Sequence, residues 1–146
     1  MTRVLMPLAD GFEELEAVTI IDLLRRADIE VVTAGLNPGP VTASRGTVLL
    51  PDTDLNTVAD ETFDMIVLPG GLPGAQHLDD DERIHRLLQR HASDNRYTAA
   101  ICAAPKVLAN AGLLDGKSAT SYPGSIVSED YPRVRVLDQP VVIDGQ

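Results

Sequence analysis

Short apolar runs alternate along this chain with longer stretches whose apolar residues recur at helical spacing, and that alternation leaves few folds open. Arg3 to Pro7 reads as a strand and Glu13 to Ala27 as a helix, with Leu15, Val18, Ile21 and Leu24 at helical spacing and Arg25 and Arg26 completing the dipole. Glu30 to Ala34 is a second strand. Val41 to Ala43 and Thr47 to Leu50 flank Ser44-Arg45-Gly46 as a small hairpin. Phe63 to Leu68 is a continuous buried strand that stops at Pro69-Gly70-Gly71. A helix from about Asp80 to Asn95 follows, with Ile84, Leu87 and Leu88 facing inward. Thr98 to Ile101 is predicted as another buried strand and Pro105 to Ala111 as another helix. Parallel strands joined by helices need right-handed crossovers and a sheet covered on both faces. The expected class is α/β, with a doubly wound, mostly parallel sheet sandwiched by helices.

Composition narrows the function classes. The 146 residues suit a single domain with a real core, and with 3% aromatics and no tryptophan that core must be aliphatic and alanine-rich. A net charge of -10 disfavours stable nucleic-acid binding, which needs clustered Lys and Arg. The acidic run Asp79-Asp80-Asp81-Glu82 reads as a helix start. One cysteine excludes an internal disulfide and a thiol-based zinc cluster. No stretch approaches a membrane span or a signal-peptide core, so a reducing cytoplasm is the expected location. Val134 to Leu137 and Val141 to Ile143 read as two last strands. The chain then stops at the turn signal Asp144-Gly145-Gln146, and the expectation is one domain over 1–146 that is incomplete at its C-terminus.

In open parallel sheets ligands bind at the carboxyl ends of the strands, and three such ends carry chemistry here. Ala99-Ala100-Ile101-Cys102-Ala103-Ala104-Pro105 puts the cysteine on a strand-to-helix turn, where small neighbours leave room for a tight bend. Pro105 suits the first helical turn, and a helix N-terminus favours thiolate over thiol, so Cys102 is expected as an activated thiolate. A small buried hydrophobe is the competing reading of the same residue. In Leu68-Pro69-Gly70-Gly71-Leu72-Pro73-Gly74, paired glycines let backbone N–H groups point into a site. The N–H groups of Gly71 and Ala103 could form an oxyanion hole, or the glycines could merely end a strand. Asp10-Gly11-Phe12-Glu13-Glu14-Leu15-Glu16 opens a helix. Its carboxylates favour the dipole, but Glu16, on the border of the apolar face, could stay protonated and shuttle protons to a thiolate. His77, His85 and His91 are expected in solvated or capping roles. The first strand is not followed by a dinucleotide-binding loop, and no Walker lysine is present.

Together, Asp10 to Glu16, Leu68 to Gly71 and Ala99 to Pro105 resemble the ThiJ/PfpI family, and within it the branch of the parkinsonism-associated deglycase and its bacterial relatives. Ile21 to Ala27 and Ser44-Arg45-Gly46 fit the same branch, and the resemblance runs from Arg3 to Gly145. It implies a flavodoxin-like fold of the class I glutamine amidotransferase kind, usually in a homodimer. It also implies that Cys102 is the nucleophile, Glu16 its protonated carboxyl partner, and Gly71 and Ala103 the oxyanion donors, with Gly70 in support. Arg45 matches an arginine that in relatives lies near the reactive cysteine of the partner subunit. Relatives continue past the position of Gly145 with a further strand, a glycine-rich loop and a long helix.

The implied activity is that of a cofactor-independent and metal-independent glyoxalase or deglycase acting on small dicarbonyls or early glycation adducts. Ala103 stands where the protease-like branch has histidine, which argues against a peptidase. Tyr122 stands where some deglycase-branch members have histidine, and a tyrosine is a poor base at neutral pH. An oxidation-sensing or holdase role through the same cysteine is the second reading. A thiamine-pathway role in thiazole monophosphate synthesis follows from the family's older label alone.

Overall fold

A computed structural model describes residues 1–146. In chain order the elements are β1 (Arg3–Leu8), α1 (Glu14–Arg26), β2 (Glu30–Gly35), β3 (Val41–Thr42), β4 (Val48–Leu49), β5 (Thr53–Asp54), α2 (Leu55–Val58) and β6 (Met65–Leu68). They continue with α3 (Gly74–Asp80), α4 (Glu82–Ser93), β7 (Tyr97–Ala100), α5 (Pro105–Asn110), β8 (Ser118–Ala119) and β9 (Arg135–Val136). Five strands form one parallel sheet in the order β5-β2-β1-β6-β7, while β3 and β4 make the expected antiparallel hairpin. From β1 the chain first winds outward to β2 and later returns to β6 on the other side. That reversal leaves a crevice at the carboxyl ends of β1 and β6, the place where such sheets bind ligands.

Period-2 alternation divides β1 between two cores. Val4, Met6 and Leu8 join Phe12, Ala17, Ile21, Val31 and Val67 beneath α1. Leu5 belongs to the opposite layer, where Ile66 and Leu68 pack with Leu55, Phe63, Leu78, Ile84, Leu88 and Val107 from the loops and helices of that face. Glu13 caps α1 by accepting the Leu15 N–H at 3.2 Å, and Asp81 caps α4 by accepting the Arg83 N–H at 2.9 Å. The acidic run therefore starts a helix as expected, but its first two residues close α3, an extra helix hidden behind the turn-like Leu72-Pro73-Gly74.

Four further expectations are corrected. Leu15 and Val18 are exposed, because the buried stripe of α1 runs instead through Ala17 and Ile21, with Ile20 and Leu24 packed beside it. β7 is an edge strand, half-buried rather than buried, since nothing pairs with its outer side. Val141 to Ile143 forms no strand, with Val141 and Ile143 exposed, and is held by the Ser118 N–H donating to Asp144 Oδ2 at 2.7 Å and Thr120 Oγ1 donating to the Gln139 carbonyl at 2.9 Å. His91 is buried at 2% exposure rather than solvated: its Nδ1 donates to the Leu87 carbonyl, and its Nε2 has no partner. No helix is long and apolar enough to cross a membrane.

Candidate active site

The crevice brings three loops into contact. Glu13 N–H donates to the Gly70 carbonyl at 2.9 Å, which locks the start of α1 onto the end of β6. Gly71 has φ +89 and so close an approach that a Cβ there would lie 2.5 Å from the Glu13 nitrogen. Only glycine satisfies both conditions. Gly70 faces the other way: a Cβ would sit 2.6 Å from Cys102 Cβ, 2.6 Å from Glu16 Oε1 and 2.8 Å from the Ile101 carbonyl. The bare backbone of Gly70 is thus the spacer between carboxyl and thiol, and its N–H donates to Glu16 Oε1 at 3.0 Å.

Cys102 is half-buried and adopts φ +62, a left-handed conformation that costs a non-glycine residue roughly 1–3 kcal/mol. Its neighbours hold it there. The Ile101 N–H continues the β7 pairing to the Leu68 carbonyl, the Ala104 N–H closes the turn onto the Ile101 carbonyl at 3.0 Å, and the Tyr122 N–H donates to the Cys102 carbonyl at 2.7 Å. Pro105 follows at the start of α5, as its fixed φ allows. The bend places the Cys102 side chain beside Glu16, with Cys102 Cβ and Glu16 Oε1 each 2.6 Å from the point a Gly70 Cβ would occupy, and the N–H groups of Gly71 and Ala103 act on the thiol.

Electrostatics corrects the expectation of a simple thiolate. Burial pushes the Cys102 thiol above its ordinary value, and the facing Glu16 carboxylate raises it further through its charge and its hydrogen bond. The N–H groups of Gly71 and Ala103 pull it back down, less strongly. A helix N-terminus is therefore outweighed by lost water and a facing carboxylate.

The remaining candidates lie around this pair. Tyr122 is exposed, and its backbone, rather than its phenol, holds the cysteine turn. Arg45 sits exposed in the hairpin turn. Glu14 accepts from the N–H groups of Arg45 at 3.1 Å and Thr47 at 3.3 Å, and from Ser44 Oγ at 3.2 Å. Desolvation works against the ionised form of Glu14, but these bonds and its own N–H hold the carboxyl down at about 2. In the sequence Glu14 is only one of the carboxylates that favour the helix dipole, and the approach of the hairpin creates this further role. Beside Cys102 a cavity of about 710 Å³ extends along β7, walled by Val67 and Ala99 on one side and by Ser121, Tyr122 and Val142 on the other. No cluster of His, Cys, Asp and Glu side chains has the arrangement of a metal site.

This constellation, a cysteine on a strained turn opposite a glutamate with a glycine between, coincides with a family match over residues 2–146 to the DJ-1/PfpI family. The chain belongs to that family. It is 46% identical over 142 residues to protein dj-1beta of Drosophila melanogaster, covering 97% of this chain and 76% of that protein. The crystal structure of Drosophila DJ-1beta superposes with a TM-score of 0.92 over 99% of this chain and 78% of that one. A deglycase of Pyrococcus abyssi is 34% identical over 98% of this chain and 86% of its own length. A structure described as oxidized Toxoplasma gondii DJ-1 matches with a TM-score of 0.84 at 37% identity, over 93% of this chain and 81% of that one. The chain spans 36% of one Arabidopsis thaliana DJ-1 homologue and 32% of another. The five-stranded parallel sheet flanked by helices is the fold of the DJ-1 structures.

Proposed function

We propose that this DJ-1/PfpI chain is a cofactor-independent glyoxalase or deglycase that converts reactive dicarbonyls, or their early adducts, to 2-hydroxy acids. The single observation carrying the reading is the Glu16–Cys102 pair, brought together around the bare backbone of Gly70, with the N–H groups of Gly71 and Ala103 acting on the thiol. The name of the Pyrococcus abyssi relative supports the same reaction class.

On methylglyoxal the steps balance without an external oxidant. Proton transfer from Cys102 to Glu16 creates the thiolate, which adds to the aldehyde carbon. The resulting alkoxide takes its negative charge toward the Gly71 and Ala103 N–H groups and then takes the proton from Glu16. As a carboxylate again, Glu16 removes the hydrogen of the former aldehyde carbon as a proton, leaving an enediolate, and returns it to the neighbouring carbon. The hydroxyl proton on the former aldehyde carbon passes to the neighbouring oxygen, so that the first becomes a thioester carbonyl and the second an alcohol. The aldehyde carbon is oxidised, the ketone carbon is reduced, and a thioester of lactate stands on Cys102. Water hydrolyses the thioester, releasing lactate and the thiol. A glycation adduct enters the same sequence once its amine or thiol has left. Tyr122 supports the turn through its N–H.

The test is lactate formation from methylglyoxal by the full chain. Cys102→Ala should abolish it, and Glu16→Gln should lower kcat by about 10²-fold or more, the usual span of a general acid–base. Full activity in either variant refutes the assignment.

The assembly belongs to the same reading: a homodimer in which Arg45 of one subunit approaches the Cys102 region of the other. Exposed Leu15 and Val18 on α1 and Val48 on the hairpin beside Arg45 support it as an unpartnered apolar face. Sedimentation at micromolar concentration tests it, and a monomer there would remove the Arg45 role. A second reading, oxidation sensing, draws on the same half-buried thiol, whose sulfinate would be met by two N–H groups and a carboxyl, and on the oxidized Toxoplasma gondii relative. Mild peroxide should then yield sulfinic acid at Cys102 by mass spectrometry. An unmodified residue argues against it.

A further inference from the structure

The two N–H groups facing the thiol come from the turns that open two short helices, Gly71 before α3 and Ala103 before α5. Helices of this length make few hydrogen bonds of their own, so their orientation is set from outside. Ala75 and Leu78 of α3, Leu108 of α5 and Ala104 just before it belong to one apolar cluster, and apolar packing of that kind is non-directional and permits sliding.

At the far ends of the same helices a chain of directed bonds crosses the gap. Tyr131 Oη donates to Asn110 Oδ1 at 2.5 Å, and Asn110 Nδ2 donates to Asp79 Oδ2 at 2.6 Å. Asp79 Oδ1 in turn lies 2.8 Å from His85 Nε2 on α4, with the Asp79 side chain only 12% exposed. Asn110 ends α5 and Asp79 lies in the last turn of α3. At ~1.5 Å per residue, the Asn110 bond is about 10 Å from Ala103, outside any contact with a substrate on Cys102. Tyr131 lies on the same excursion after β8 as Tyr122, whose N–H holds the Cys102 carbonyl.

We propose that Asp79 and Asn110 are positioning residues: their hydrogen bond fixes the spacing of the Gly71 and Ala103 donors around Cys102, and Tyr131 extends the constraint to the Tyr122 clamp. Their role in turnover rests on the function proposed above. Their effect on the thiol does not, because donor spacing acts on the thiolate whether or not a dicarbonyl is present.

The experiment is the pH profile of Cys102 alkylation by iodoacetamide on the full chain, with thermal unfolding followed in parallel. Asn110→Ala should move the profile to higher pH and slow alkylation at neutral pH about threefold, because the rate follows the thiolate fraction. The paired exchange Asp79→Asn with Asn110→Asp reverses donor and acceptor but keeps the bond, so it should restore the wild-type profile. If Asn110→Ala does not fold, Tyr131→Phe, which removes one hydroxyl, should give a smaller shift in the same direction. An Asn110→Ala profile that superimposes on wild type, or a paired exchange no better than the single variant, overturns the proposal. Failure of the proposed reaction would appear separately, as wild-type protein that makes no lactate.

Discussion

A single methyl group at Gly70 should disable the site while leaving the fold standing. In Gly70→Ala the new Cβ would meet Cys102 Cβ and Glu16 Oε1 at 2.6 Å, and the Ile101 carbonyl at 2.8 Å. Ordinary contacts between such atoms lie near 3.5–4.0 Å, so the groups must separate by about 1 Å. The Glu16 carboxylate can swing, but the cysteine Cβ and the Ile101 carbonyl belong to a turn already held at φ +62. Moving Glu16 also breaks its bond from the Gly70 N–H. Overpacking of this size costs roughly 1–3 kcal/mol of stability, a melting shift of a few degrees for a chain of this length. Misplacing the reacting groups by about 1 Å costs on the order of 10²-fold in rate. The assay is methylglyoxal consumption and lactate formation, with circular dichroism melts and thiol titration as controls. A Gly70→Ala protein that melts cooperatively within a few degrees of wild type and turns over within a factor of about two would refute the reasoning, because a turn that yields so easily cannot be what positions the pair.

Burial holds the His91 imidazole below its ordinary value, with the Leu87 carbonyl opposing only in part, so the folded chain binds its proton less readily than the unfolded chain. Stability from His91 should be complete above about pH 6.5 and decline as pH falls below it, visible as a drop in urea midpoint that His91→Leu lacks. Glu14 has the opposite chemistry and a lower window. Its folded value of about 2 against an ordinary 4.5 means that its contribution is intact above about pH 4.5 and is lost as pH falls toward 2. The Glu14→Gln variant should show a flatter acid limb in denaturant titrations. Phe63, 1% exposed with the Arg3 guanidinium 4.7 Å from its ring centre, should cost about 3–5 kcal/mol on replacement by alanine, lowering the melting temperature by about 10 °C or more.

The parts legible in the sequence were those set by short-range pattern. Continuous apolar runs gave β1, β2 and β6, and the Ser44-Arg45-Gly46 turn gave the hairpin. Cys102, Glu16, Gly71 and Ala103 stand at three separate strand ends in the sequence, and the fold sets the other three beside Cys102. What stayed hidden depends on partners. Tyr97-Thr98-Ala99-Ala100 reads the same in the middle of a sheet as at its edge, and Val141 to Ile143 looks like a strand although no neighbour pairs with it. Leu15 and Val18 have helical spacing, but only packing decides which side of α1 meets the sheet. The direction of the Cys102 shift was equally out of reach, because it depends on the Glu16 charge and on lost water at a distance no spacing rule supplies. Asp79 and Asn110 carry no local signal, since their bond joins two helices 31 residues apart in the chain.

The central claim is covalent, that the dicarbonyl reacts on the sulfur of Cys102. Rapid-quench mass spectrometry during methylglyoxal turnover tests it most directly. A single dicarbonyl equivalent should appear on the Cys102 peptide, rise during turnover, decay as substrate is exhausted, and be absent in Cys102→Ala, which should make no lactate. Sustained lactate formation with Cys102 unmodified throughout, or undiminished conversion by Cys102→Ala, would contradict it.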